Sequence, residues 1–193
     1  MVKQQKRADR QFNNFSFVNA IETYEKLIDT SFNQYYAMRQ LGDAYIMLRQ
    51  PEKALSIYKQ VVEQENVPSE YFLYYAQTLR ANGEYEASKE WMKKYRDAGN
   101  TQDRRVKSFF KNDDLASAIF NSKEKNTISS LNINTEFNDF GAVEINDEIV
   151  FASSRDEGVS VKRLYAWDKQ PLLDIFTVAR DGGSVAGTTK LEE

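Results

Sequence analysis

The side chains in this sequence best suited to chemistry are carboxylates near its C-terminal end. Asp156 and Glu157 lie in the stretch FASSRDEG, and Asp174 lies in PLLDIF. Carboxylates brought together can hold a cation or divide acid and base roles between them. The partners such a site needs are missing. With no Cys and no His in 193 residues, thiol nucleophiles, disulfides, the usual zinc ligand sets and imidazole proton transfer are excluded. An enzyme would have to run on carboxylates, Lys, Tyr or Ser alone, and no partnered set of these stands out. Turn and loop chemistry accounts for the three carboxylates, so no catalytic residue, metal or cofactor is expected. The dipeptide Trp167-Asp168 lies between two strand-like runs, 149–153 and 172–178, ahead of Pro171. In WD-repeat propellers that dipeptide ends a strand, so here the match reads as accidental.

Bulk properties narrow the class further. Hydrophobic residues make up 41% and charged residues 28%, the balance of a globular chain. A net charge of -3 offers no basic footprint for nucleic acid. The cluster Arg104-Arg105-Val106-Lys107, with Asp103 and Asp113-Asp114 nearby, reads as a solvated helix face. No run approaches the roughly 18 apolar residues of a membrane helix. The opening MVKQQKRADRQF is charged where a signal peptide is apolar. That suits either a cytosolic chain or a mature form whose signal has been removed.

Two regions must position whatever this protein binds. Ten of the eleven Tyr precede Gly99, whereas six of the eight Gly lie at or after it. The first region repeats. Ala20 and Tyr24 recur 34 residues later as Ala54 and Tyr58, and 33 residues after that as Ala87 and Trp91. A small residue precedes each pair: Ala8, Gly42 and Ala76. This period, with small residues at two fixed positions, is the tetratricopeptide signature. The small residues let the two helices of a hairpin approach, and the large aromatic fills the gap to the next repeat. The second repeat is the clearest, with Leu41, Gly42, Tyr45, Ala54 and Tyr58 in place and Pro51 opening its second helix. The third reads as one residue shorter in its turn, at Gly83.

Such arrays present a concave face from their first helices. Repeat positions place Tyr36, Arg39, Asp43 and Met47 of the second repeat, and Leu73, Gln77 and Arg80 of the third, on that face as candidate partner contacts. Asp43 would repel the carboxylates of an acidic chaperone tail. A mixed aromatic and charged groove instead favours a segment of a partner protein.

From residue 128 the pattern turns to strands. Apolar residues alternate through Ile128, Leu131 and Ile133, then Val143 and Ile145. Asn146-Asp147 marks a hairpin, and Asp181-Gly182-Gly183 a further turn. Three or four antiparallel strands are the content of one propeller blade. The expected architecture is therefore α+β. A tetratricopeptide array spans 1–99, in repeats of about 1–34, 35–68 and 69–99; a helical capping or linking segment spans 100–127; an incomplete first blade spans 128–193. A single blade leaves strand edges and one face uncovered, so this segment is expected to need packing on helices, a partner or further blades.

The stretches LNINTEFNDFGAVEINDEIVFASSRDEG and YAWDKQPLLDIFTVARDGG resemble the first blade of a TolB-like periplasmic propeller. With the upstream repeats, the chain from about Ala8 to Gly183 resembles the N-terminal part of Bacteroidetes OmpA-family proteins, including the PorE-like group of the type 9 secretion system. Relatives in that family stand beside PorP/SprF-type membrane proteins. The resemblance implies a non-enzymatic, periplasmic, outer-membrane-associated scaffold. Its partner would be an outer-membrane or secretion-machinery component, with peptidoglycan held only through domains absent from this sequence. No nucleic acid and no membrane span are expected. The competing expectation is a cytosolic tetratricopeptide adaptor that binds a peptide segment of a partner.

Overall fold

A computed structural model describes residues 1–111, 130–131, 133–155, 163–181 and 184–190. The chain divides into two compact units, Met1–Glu124 and Lys125–Glu193. The architecture is α+β: helices in the first unit and an antiparallel sheet in the second.

The helices are α1 (Val2–Asn13), α2 (Phe17–Ile28), α3 (Gln34–Met47), α4 (Pro51–Val61), α5 (Glu70–Ala81), α6 (Tyr85–Asp97) and α7 (Arg104–Lys111). From α1 to α6, each packs on the next in sequence, as in an array whose repeats touch only their neighbours. The turn inside each hairpin is the same motif three times. Phe15, Arg49 and Gly83, spaced by 34, adopt left-handed φ of 57°, 55° and 81°. In each turn the following amide reaches back five residues: Ser16 to Gln11 O, Gln50 to Tyr45 O, and Glu84 to Leu79 O, at 2.8–2.9 Å. This is a Schellman closure, which satisfies carbonyls the helix end would otherwise leave open. Only the third repeat gives the position to glycine. At Phe15 and Arg49 the closure holds an L-residue in a conformation that costs roughly 1–2 kcal/mol.

These turns correct the register of the third repeat. The spacing of 33 that selected Ala87 and Trp91 does not hold, because the turn at Gly83 is no shorter than the others. Ser88 and Met92, each 34 residues after Ala54 and Tyr58, are the buried pair. Serine fits a hole sized for alanine because its hydroxyl donates to the Ala76 carbonyl at 2.6 Å. Trp91 instead lies beside the core, edge-on to Tyr75. Packing is tightest in the second repeat. A Cβ on Gly42 would lie 2.6 Å from the Tyr58 ring. The helix α7 closes the array by burying Val106 against Leu73, Ala76, Met92 and Tyr95. Asp103 caps α7, accepting the Arg105 amide at 2.7 Å and the Tyr95 hydroxyl at 2.8 Å. Residues 112–127 of the expected linker lie outside the described residues.

In the second unit, β1 (Asp139–Ile145), β2 (Glu148–Ser153), β3 (Asp174–Asp181) and β4 (Ser184–Lys190) pair in sequence order as an antiparallel meander. Asn146 and Asp147 both take positive φ, as a two-residue hairpin turn requires. The expected strand residue Ile128 and the glycines of the turn after Asp181 lie outside the described residues, as do Asp156 and Glu157. Leu131 and Ile133 are not in a strand. Between β2 and β3, Leu164 bridges Pro171 and Trp167-Asp168 falls in the turn. There Asp168 accepts the Gln170 amide and the Asn138 side-chain amide.

The two faces of the sheet differ. Phe151, Phe176 and Val178 form a small core with Ile133 and Ile149. Phe151, Ser153 and Arg155 alternate onto that face, which explains the run FASSR. Arg155 is buried, and its guanidinium lies 5.0 Å and 5.1 Å from the Phe151 and Phe176 ring centres. Its nitrogens reach Asp139 Oδ1, Ser153 Oγ and the Ile133 carbonyl, each at 2.9 Å. Thr135 donates its amide and hydroxyl to the other Asp139 oxygen. The opposite face carries the cross-strand row Phe140–Ala152–Ile175, then Val143–Val150–Thr177.

Candidate binding face of the helical repeats

The tyrosines of the repeats meet their polar partners across a seam built twice at the same spacing. Tyr24 donates to Asp9 at 2.8 Å, and Tyr36 of the next repeat donates to the same oxygen at 3.0 Å. Thirty-four residues on, Tyr58 donates to Asp43 at 2.6 Å, and Tyr71 of the following repeat donates at 3.3 Å. Each aspartate thus ties its own hairpin together and joins it to the next. Burial raises the Asp43 carboxyl above its ordinary value, and the tyrosine hydroxyls with Arg39 only partly oppose this. Burial, with the Asp9 carboxylate, pushes the Tyr36 hydroxyl up to about 12. The third repeat has Gln77 and Met92 at these positions, so both members of the pair change together.

The seven expected contacts therefore divide among different places. Leu73 is not on the binding face. It is 0% exposed in the core beneath α7, because that stripe of α5 packs on α6 and α7. Asp43 turns its carboxylate to Tyr58 and Tyr71. Tyr36 and Arg39 share a depression of about 440 Å³ with Ser31, Asn33, Gln34 and Tyr35. Arg39 donates to the Tyr35 carbonyl, and its guanidinium lies 5.9 Å from the Tyr71 ring centre. Met47 is 43% exposed. Arg80 is exposed and stands over the Phe109 ring of α7. Gln77 lines a second hollow of about 220 Å³, completed by Ile46, Tyr58, Tyr74, Thr78 and Ala81. It is below the ~300–1,000 Å³ of a typical small-molecule pocket, a volume suited to a single apolar side chain.

The sequence reading missed Asp9 and Tyr71 as members of the seam and Tyr74 and Thr78 as walls of the hollow. The seam had a signal, since Asp9 and Asp43 share the spacing of Tyr24 and Tyr58. The hollow had none, because it forms where α3 and α5 splay over α4. Among the described residues no cluster of three or more acidic side chains could hold a metal ion. No described helix is long and apolar enough to cross a membrane.

No family model matches this chain, and no curated protein matches it. Solved structures do. The first tetratricopeptide domain of Spaghetti (RPAP3), bound to the HSP90 peptide SRMEEVD, aligns at 14% identity with a TM-score of 0.53, covering 61% of this chain and 92% of that one. The Yersinia enterocolitica type III secretion chaperone SycD, in complex with a peptide of the translocator YopD, aligns at 14% identity with a TM-score of 0.52, covering 60% and 92%. At this identity the likeness defines the fold class: a tetratricopeptide superhelix, followed in this chain by a small antiparallel sheet.

Proposed function

We propose that this chain is a non-enzymatic scaffold whose helical repeats hold a segment of a partner protein. The observation carrying this reading is the hollow between α3 and α5. It offers an apolar seat for one side chain, with Gln77 at its wall and Ile46 and Met47 exposed. Both solved neighbours are described as peptide complexes, which supports the same use of the fold. We further propose that the chain is the N-terminal part of a periplasmic, outer-membrane-associated OmpA-family protein. In that reading it links an outer-membrane, type 9 secretion or gliding partner to peptidoglycan through domains outside this sequence. The support is the sequence resemblance of its repeats and of the run FASSRDEG to that family.

Two experiments test these levels separately. A photo-crosslinker at Gln77 in the native cell is expected to trap one dominant protein. Ala81→Arg, which fills the hollow, should abolish the trapping while leaving helical content unchanged. Retained trapping in Ala81→Arg, and in Tyr36→Ala with Arg39→Ala, rejects the groove. Cell fractionation tests the setting: recovery in the cytosol rejects the periplasmic reading while leaving the scaffold intact.

A further inference from the structure

We propose that the end of the sheet carries a second docking site, independent of the helical groove, which receives a tryptophan side chain of a partner protein. A cavity of about 430 Å³ opens there, within the usual ~300–1,000 Å³ range of ligand pockets. Its apolar walls are Phe140 at the start of β1, Leu172 and Leu173 leading into β3, and Tyr165 and Pro171 from the bridged turn. Phe140, Tyr165, Leu172 and Leu173 are each about half exposed around this one hollow. Large apolar side chains gathered in this way mark an interaction site rather than ordinary surface.

The polar atoms at the cavity define the occupant. Gln170 lines it, and its Oε1 is buried with no hydrogen-bond donor among the described residues. The Asp168 oxygens already accept from the Gln170 amide and Asn138 Nδ2, while Ser154 Oγ accepts the Asn138 amide. What the site lacks is a donor inside an apolar enclosure. A leucine or phenylalanine would fill the space and leave Gln170 Oε1 unanswered. A lysine or arginine would press a charge against Leu172 and Leu173. A tyrosine would bring a second acceptor in need of its own partner. An indole is flat, apolar and donor-only, and it suits walls that include the rings of Phe140 and Tyr165. The source is a protein rather than a free indole because Phe140 also begins an apolar row. Ile175 and Val143 continue that row across the uncovered sheet face, each about half exposed. A free molecule would cover the cavity alone.

The test titrates the full isotope-labelled chain with three probes and follows amide resonances. Indole is expected to shift Gln170, Leu172 and Leu173, while 1-methylindole, which lacks only the donor, binds about tenfold more weakly. A capped tripeptide of valine, tryptophan and valine should bind about tenfold more tightly than indole and shift Val143 and Ile175 as well. Gln170→Met should erase the preference for indole over its methylated form, with the sheet resonances retained. Equal binding of the two indoles, or no shifts with any probe, overturns the site. A tripeptide no tighter than indole overturns the protein source and assigns the cavity to a free aromatic molecule.

Discussion

Asp43 in the helical unit and Asp139 in the sheet unit are both interior carboxylates that join separate elements, yet their surroundings drive them in opposite directions. Around Asp43 the nearest donors are neutral tyrosine hydroxyls, so burial dominates and its carboxyl is raised. Around Asp139 burial acts the same way, but Ser153, Arg155 and Thr135 outweigh it and hold the carboxyl well below its ordinary range. A side chain supplied by a repeat can rely only on what every repeat supplies, here tyrosine. The sheet occurs once and can dedicate a buried arginine to its clasp. The two units thus use the same residue type with opposite dependence on protonation.

The largest expected effect comes from breaking the sheet's clasp. Arg155→Met leaves Asp139 charged without its cation, a loss of about 3–5 kcal/mol for a buried pair. Hydrogen exchange at Phe176 and Val178 should accelerate sharply while the amides of α2 to α5 stay protected. Pairing it with Asp139→Asn should restore part of the loss. Persistent protection at Phe176 in Arg155→Met would mean that the rings alone hold the sheet.

The helical seam should respond less. Tyr58→Phe removes one donor from a buried acceptor, at about 1–3 kcal/mol. Introducing the third repeat's own pair, Asp43→Gln with Tyr58→Met, should cost less than the two single changes summed, with a coupling of about 0.5–3 kcal/mol by urea denaturation. Strict additivity would show that Asp43 and Tyr58 do not act as a unit.

Acid should separate the units by the smallest and most gradual effect. Asp139 has a folded value below its ordinary 3.8, so its contribution is present above about pH 4 and is lost as pH falls through and beneath that value. Asp43 has a raised folded value, so its contribution is fully present below 3.8 and declines as pH rises through the raised value. Urea midpoints read from separate resonances between pH 7 and pH 3 should therefore fall earlier for the sheet than for the helices. Parallel curves for the two units would contradict the contrast.

Much of this was legible in advance. Ala8, Gly42 and Ala76 mark the close approach of paired helices, and Asn146-Asp147 marks the first hairpin, because both depend on local sterics that residue type expresses directly. The third repeat misled because Trp91 matches the aromatic of the pattern, while Ser88 becomes core only through a hydrogen bond to Ala76. Leu73 misled in the same way: its repeat position points to the groove, but α7 lies outside the period and covers it.

The amino-acid sequence by itself determined the repeat period, the all-helical first region, the strand alternation of the second and the exclusion of thiol and imidazole chemistry. Those properties follow from spacing and composition. Which carboxylates are interior, where the 220 Å³ hollow opens and why Arg155 is buried were decided only by the tertiary structure. Each depends on side chains from elements far apart in sequence meeting at distances that no local pattern encodes.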